Sequence, residues 1–233
     1  MIKKVVKENY KYIIVLFLTI VLFYVLRITN EFRIFKIIDQ NIADFIKNNF
    51  SGNLEKIFNF TSDFIGIYTL IIIIMCILLK FKNKLYIKLT LITYTFTLLI
   101  TSISKIIISR PRPLIEVTAT IDKYSFPSGH TLVSFVMYYF IAYILTINSD
   151  KYTKVAYYII STILVFTVAF SRLYLGVHYF TDVMGAIIFG IVILLMMINI
   201  IKKNFKEKLV WKGELCFKVE EQREHMKQER LEH

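Results

Sequence analysis

Cysteine is scarce in this chain: 233 residues hold only Cys76 and Cys216. Cys76 sits in the middle of an apolar run and Cys216 in a charged terminal segment, whereas a disulfide needs Cα atoms within about 7 Å. A disulfide framework is excluded, and neither cysteine has a metal-ligand spacing. Proline occurs three times, and the chain shows neither internal repeat nor low-complexity linker. Histidine numbers four. No dense cluster of histidines and carboxylates forms around them, so a metal mechanism is not expected. Acid is short as well, with 17 Asp and Glu against 29 Lys and Arg, a net charge of +12.

What the chain has in quantity is hydrophobic length. Fully 56% of its residues are hydrophobic, more uninterrupted apolar sequence than a soluble core of this size requires. A bilayer crossing takes roughly 20 apolar residues, with about 17 as the lower limit. Six stretches meet or approach that length: Tyr12–Ile28, Phe64–Leu79, Leu85–Ile108, Thr131–Ile147, Val155–Phe170 and Tyr179–Ile201. The expected fold is all-α, a six-transmembrane-helix bundle. Lys3, Lys4, Lys7 and Lys11 give the first run a basic leader. That run is longer than a secretion signal's core of roughly 7–15 residues and lacks a small-residue cleavage site, so it reads as a retained span.

The excess of base then has a topological origin. Lysines gather before the first span, at Lys80, Lys82, Lys84 and Lys88, at Lys151 and Lys154, and at Lys202, Lys203, Lys206 and Lys208. Counting spans, these all lie on one side, which the positive-inside rule makes cytoplasmic. Both termini are expected there, in a bacterial cytoplasmic membrane, and a nucleic-acid partner is rejected. Residues 1–201 form the membrane domain, and 202–233 a charged cytoplasmic tail whose last residues, Leu231-Glu232-His233, resemble a cloning scar. Between the first two runs, residues 31–60 include Ile34, Phe35, Ile38, Ile42, Phe45 and Ile46 at helical spacing with charges between them. They predict an amphipathic helix on the outer interface. Its simpler reading is a helix packed on the bundle away from any substrate. Thr61–Asp63 supplies an N-cap for the second span.

Three polar clusters interrupt this pattern, all on the outer side of the expected topology. The first, Lys105 to Pro113, reads "KIIISRPRP". Alone it is a lysine snorkelling to the interface before a helix stops at proline. The second, "FPSGHT", ends a loop at Pro127 and offers Ser128 as helix cap, Gly129 for close backbone approach and His130 in the first turn. An ordinary capped helix start explains Ser128 well and His130 badly. The third, "SRLYLGVHYFTD", runs from Ser171 to Asp182. His178 and Asp182, four apart, share a helical face, so the aspartate can hold one ring nitrogen and leave the other free as nucleophile or base. Taken singly, that is a structural His–Asp pair, and Arg172 an interface anchor.

Together the clusters supply Lys105, Arg112 and Arg172 as cations, a helix N-terminus at Ser128–Gly129, two histidines and an aspartate. Phosphoryl transfer asks for positioning and for charge on three equatorial oxygens to be stabilised. Arginine forks, a lysine point charge and the Gly129 amide do that. His178, held by Asp182, attacks phosphorus, and His130 protonates the leaving alkoxide and then activates water.

The set Lys105 with Arg112-Pro113, Pro127-Ser128-Gly129-His130, and Ser171-Arg172 with His178 and Asp182 resembles the type 2 phosphatidic acid phosphatase family, similar in its site to vanadium haloperoxidases and bacterial non-specific acid phosphatases. Arg110-Pro111 competes for the first motif, and the spacing from Lys105 selects Arg112. The resemblance covers Lys105–Asp182. It implies a metal-independent, cofactor-free hydrolase of a lipid phosphate monoester or isoprenoid pyrophosphate, with an outward-facing site. His178 is the implied nucleophile and His130 the acid and base, with Lys105, Arg112, Ser128, Gly129 and Arg172 around the phosphate. Phosphatidic acid, phosphatidylglycerol phosphate and undecaprenyl pyrophosphate are the candidate substrates. Rival readings are transfer of the phosphate to a lipid or sugar acceptor, a haloperoxidase (disfavoured by the spans), and a non-catalytic membrane protein that keeps an anion site.

Overall fold

A computed structural model describes residues 2–28, 32–50, 56–58, 84–113 and 123–203. Among the described residues the architecture is carried by six long helices: α1 Ile2–Ile28, α2 Phe32–Asn49, α3 Lys84–Ile108, α4 Gly129–Leu145 and α5 Lys151–Tyr174, then α6 Phe180–Lys203. Four are long and apolar enough to cross a membrane, over Asn9–Leu26, Tyr86–Ile108, Lys151–Tyr174 and Phe180–Lys203. The run expected at Phe64–Leu79 and the cap at Thr61–Asp63 lie outside the described residues, as does the tail beyond Lys203.

Helix α4 is the short one, with 17 residues, or about 26 Å at 1.5 Å per residue. Its burial accounts for its shortness. Leu132, Val136, Phe140 and Ile144 are fully buried along one side, and Met137, Tyr138 and Ile141 bury another. A helix enclosed by α3, α5 and α6 need not match the hydrocarbon thickness with lipid-facing residues of its own. By contrast α1 exposes Phe17, Leu18 and Leu22 on its outer face, the surface expected toward lipid. The core lies between α4 and α6, where Phe126, Phe140, Phe189 and Ile193 are fully buried in one cluster. The Phe23 ring of α1 lies tilted against Phe126 with centroids 4.4 Å apart, and Phe126 meets Phe189 edge-on at 5.9 Å.

The buried threonines of α3 are satisfied within their own helix. Thr90, Thr93, Thr97 and Thr101 are buried along α3, and each hydroxyl donates to the carbonyl four residues earlier. This satisfies a group that lipid cannot. Between α1 and α6, the Asn199 amide donates to Asn9 at 3.0 Å.

The helix ends nearest the polar clusters are sharply defined. Helix α3 stops at Ile108, three residues before the first proline of its motif, because Ser109 turns left-handed at φ 47°. Its N–H donates back to the Lys105 carbonyl at 2.8 Å, a left-handed C-terminal closure. Helix α5 closes the same way through Gly176, φ 62°, whose N–H reaches the Leu173 carbonyl at 3.0 Å. Only glycine takes that conformation without a Cβ penalty. At its other end Asp150 caps α5, accepting from the N–H groups of Tyr152 and Thr153 at 2.8 and 3.1 Å.

Candidate active site

The three clusters, distant along the chain, are stitched together by backbone contacts. Pro111 and Tyr124 form an isolated antiparallel bridge, and Ser125 N–H donates to the Arg110 carbonyl at 2.8 Å. These bonds set the segment after α3 beside the start of the second cluster. The Ser128 N–H donates to the Asp182 carbonyl at 3.2 Å, tying the foot of α4 to the first turn of α6. Arg112 Nη1 donates to the Val177 carbonyl at 3.2 Å, tying the first cluster to the third. His130 lies within electrostatic reach of Arg172, His178, Lys105 and Arg112 together. Thus Lys105, Arg112, His130, Arg172, His178 and Asp182 all share one end of the bundle. Ser128 and Gly129 sit at the same place, at the first turn of α4.

The local geometry departs from the sequence expectation at three points. Ser128 occupies the N-cap position of α4 with extended backbone, yet its side chain makes no cap hydrogen bond. The hydroxyl pairs instead with Thr131 Oγ1 at 2.9 Å, a second hydroxyl presented where the backbone N–H was expected to be the partner. Gly129 has a protein neighbour as well, since a Cβ there would lie 3.3 Å from the Thr101 methyl. Its lack of a side chain therefore serves the packing of α4 on α3.

The third departure concerns His178 and Asp182, which do not share a helix. His178 precedes α6, while Asp182 lies in its first turn and reaches back to accept the Tyr179 N–H on Oδ2 at 2.9 Å. That is half of a capping box. The same Oδ2 stands 3.6 Å from His178 Nδ1, longer than a hydrogen bond. Nδ1 is buried and has no hydrogen-bond partner among the described residues. Burial pushes the His178 imidazole below its ordinary pKa. Asp182 opposes that shift, and the cations Arg112 and Arg172 add to it. His178 is therefore a neutral imidazole around pH 7, with a carboxylate poised to take its Nδ1 proton donation.

The structure brings two further residues to this point, one that the sequence reading passed over and one that it did not name. Arg110, passed over in favour of Arg112, is buried and donates to Asp182 Oδ1 at 2.6 Å. Asp39, on the amphipathic helix, accepts from Arg110 Nη2 at 2.7 Å. A carboxylate at the fifth position of an otherwise apolar face (Phe35, Asp39, Ile42, Ile46) was the available signal. Helix α2 is thus not remote from the site. It forms one wall of a cavity of about 920 Å³, to which it contributes Lys36, Asp39 and Gln40, with Arg110, His178 and Tyr179 opposite. Lys105, Arg112, His130 and Arg172 do not line this space, and His178 is the point where cavity and cation cluster meet. Among the described residues, no group of three or more His, Cys, Asp or Glu is arranged to hold a metal ion.

Comparison with known proteins adds a family and a fold. Residues 86–206, more than half of the chain, match the PAP2 superfamily. Over 105 residues the chain is 35% identical to phosphatidylglycerophosphatase B of Bacillus subtilis, covering 44% of this chain and 49% of that protein. It is 30% identical over 112 residues to lipid phosphate phosphatase delta of Arabidopsis thaliana, covering 42% of this chain and 27% of that protein. The chain thus spans about half, or less, of the length of these curated relatives. Its fold is similar to the crystal structure of the first transmembrane PAP2-type phosphatidylglycerolphosphate phosphatase from Bacillus subtilis. That likeness has a TM-score of 0.66 and 25% identity, and covers 84% of this chain and 96% of the other.

Proposed function

This chain belongs to the PAP2 superfamily, and on that premise we propose that it is a lipid phosphate phosphatase working through a phosphohistidine on His178. The observation that carries this reading is the pair of hydrogen bonds joining the three clusters, Ser128 N–H to the Asp182 carbonyl and Arg112 to the Val177 carbonyl. No membrane-anchoring role calls for cations, two histidines and a carboxylate to be held at one point by cross-cluster backbone contacts. Phosphatidylglycerol phosphate is the leading substrate, because the Bacillus relative and the similar crystal structure both carry that specificity in their names.

In the reaction, Lys105, Arg112 and Arg172 hold the non-bridging oxygens, with the Ser128–Gly129 backbone at the foot of α4. His178 Nε2 attacks phosphorus. Before substrate binds, burial and the cations led by Arg172 hold the His130 imidazole pKa down at about 3; the bound phosphate's negative charge offsets those cations and lets His130 take up a proton. As the new P–N bond forms, the ester P–O bond breaks, and His130 donates that proton to the departing alkoxide. Positive charge builds on the His178 ring, and Asp182 stabilises it through Nδ1–H as the 3.6 Å separation closes to hydrogen-bond length. Catalytic hydrogen bonds commonly tighten only once substrate is bound. His130, now a base, takes a proton from water, whose oxygen attacks phosphorus. The P–N bond breaks, and its electron pair returns to His178 with release of inorganic phosphate.

The test is phosphate release in detergent from phosphatidylglycerol phosphate, phosphatidic acid and a C55 isoprenyl pyrophosphate, run alongside trapping of the labelled phosphoenzyme. Hydrolysis is expected to fall by roughly 10³-fold or more in His178→Ala, as for other catalytic nucleophiles. It should be unaffected by EDTA and inhibited by orthovanadate, which mimics five-coordinate phosphorus. Undiminished turnover in His178→Ala would end this reading.

A further inference from the structure

One buried ion network joins the amphipathic helix to the His178–Asp182 pair, and the reaction outlined above makes no use of it. Arg110 is its centre. Nη2 donates to Asp39 Oδ2 at 2.7 Å, and Nη1 donates to Asp182 Oδ1 at 2.6 Å and to Thr181 Oγ1 at 2.7 Å. Asp39 is held again by the Thr181 N–H on Oδ1 and by the Thr181 hydroxyl on Oδ2, each at 2.9 Å. The Tyr179 ring packs 4.0 Å from the guanidinium carbon. Asp39 is 4% exposed, Arg110 9% and Asp182 0%. Burying charges this deeply costs several kcal/mol per ion before pairing, and a well-packed apolar cluster of the same volume is often as stable. Packing alone does not call for this arrangement.

Its charge count suggests what does. Two carboxylates share one guanidinium, so the network carries one surplus negative charge. With Arg110 and Asp182 alone, the pair would be neutral and its attraction for a cationic imidazole largely cancelled. Asp39 supplies the missing charge from another helix. Geometry points the same way: Arg110 occupies Asp182 Oδ1 and the Tyr179 N–H occupies Oδ2, which fixes the carboxylate with Oδ2 toward His178 Nδ1.

We propose that Arg110 and Asp39 are positioning residues, Arg110 orienting the Asp182 carboxylate and Asp39 balancing Arg110 so that Asp182 retains its hold on a positively charged His178. This rests on the reading of His178 as the nucleophile. The amphipathic helix is then a working part of the site, since without its docking the balance is lost. The other charged groups facing His178 are Arg112 from the segment after α3 and Arg172 from α5, with His130 from α4. Lys36 and Asp44 of α2 line the same cavity as His178. None of them is altered in the test.

Asp39→Asn is isosteric and removes one charge, and it turns one acceptor oxygen into a donor facing Arg110 Nη2 or the Thr181 N–H. The expected result is a kcat reduced roughly tenfold, equivalent to about 1.4 kcal/mol in the barrier. The acid limb of the kcat/KM profile should move down by ~0.5 pH unit or more, because a neighbouring negative charge no longer favours protonated His178. Arg110→Gln does the opposite to the charge: kcat again falls, but the acid limb moves up. The substrate's own second ionisation, near pH 6, is common to all variants and cancels in the comparison. Asp39→Glu should return the limb to its wild-type position. A residue that served only the fold would lower the yield of active enzyme and leave both limbs in place. Limbs that coincide with wild type, or that move in the same direction, overturn the proposal. Should either variant fail to fold, Thr181→Val loosens Asp39 with no change of charge and should shift the limb in the Asp39→Asn direction; no shift counts against the proposal. A wild-type enzyme that turns over without labelling His178 sinks the reaction assigned to His178, whereas a labelled His178 with unmoved limbs sinks the positioning role alone.

Discussion

At the scale of the residue, His178 carries the argument, and its environment makes a prediction independent of turnover. Burial holds its imidazole below the ordinary histidine pKa in the folded chain, while in the unfolded chain it titrates near pH 6.5. As pH falls through about 6.5 the unfolded state binds the proton first, so the stability that burying neutral His178 contributes is fully present above that value and is lost below it. Thermal unfolding in detergent should therefore drop steeply on acidification from pH 7 toward 5. His178→Asn, polar but non-titrating, should reduce that slope, the remainder belonging to His130, whose pKa burial and Arg172 hold down at about 3; an unchanged slope in the variant would assign the pH dependence to groups other than His178. How readable the residues were depends on where their partners lie. Lys105 and Arg112 have a spacing that a sequence can show, as do His178 and Asp182. Arg110 and Asp39 are 71 positions apart, and their pairing follows from helix docking that no local pattern encodes. Two adjacent Arg-Pro units were weighed as rivals, whereas in the fold Arg110 meets Asp182 and Arg112 meets the Val177 carbonyl.

At the scale of the element, hydropathy located the helices but not their ends. Four spans emerge where long apolar runs stood in the sequence, because in lipid only a helix satisfies every backbone group of an isolated segment. The termini obey shorter-range rules. The left-handed Ser109 ends α3 ahead of its prolines, and the hydroxyl of Thr131 draws Ser128 away from the expected cap. Tight packing between elements is equally silent in a sequence. Gly185 on α6 faces Phe126, and a Cβ built there would fall 2.3 Å from Phe126 Cε2. Phe126 is fully buried with aromatic neighbours at 4.4 and 5.9 Å, so it cannot swing away. Gly185→Ala should cost about 1–3 kcal/mol, the usual range for overpacking a full core, and lower the thermal midpoint in detergent. Phe126→Leu should restore much of that loss when combined with it, although alone it is destabilising. A double mutant no better than the sum of its parts would show that the clash is relieved elsewhere.

At the scale of the whole molecule, the charge distribution sets a definite expectation for which way the site faces. Lys151 and Lys154 begin α5 at the end of the bundle opposite to Ser109–Pro113 and His178, and flanking lysines of this kind are retained on the cytoplasmic side. On that expectation the site would open outward, where α2 would lie in the interface with its exposed Ile37, Ile38 and Phe45 toward the headgroups. The scarcity of cysteine makes this simple to examine, since replacing Cys76 and Cys216 leaves a chain with no thiol. Into that background Lys123→Cys places a probe at an exposed position before α4, and Asn148→Cys places one at an exposed position between α4 and α5. In intact bacterial cells a membrane-impermeant maleimide should label position 123 and spare position 148, and disrupting the cells should expose both. Such labelling should accompany phosphate release from lipid supplied on the outside. The reverse pattern would place the cation cluster in the cytoplasm, so that its substrate would have to come from the inner leaflet and the lysines of α5 would face the outside against the usual bias.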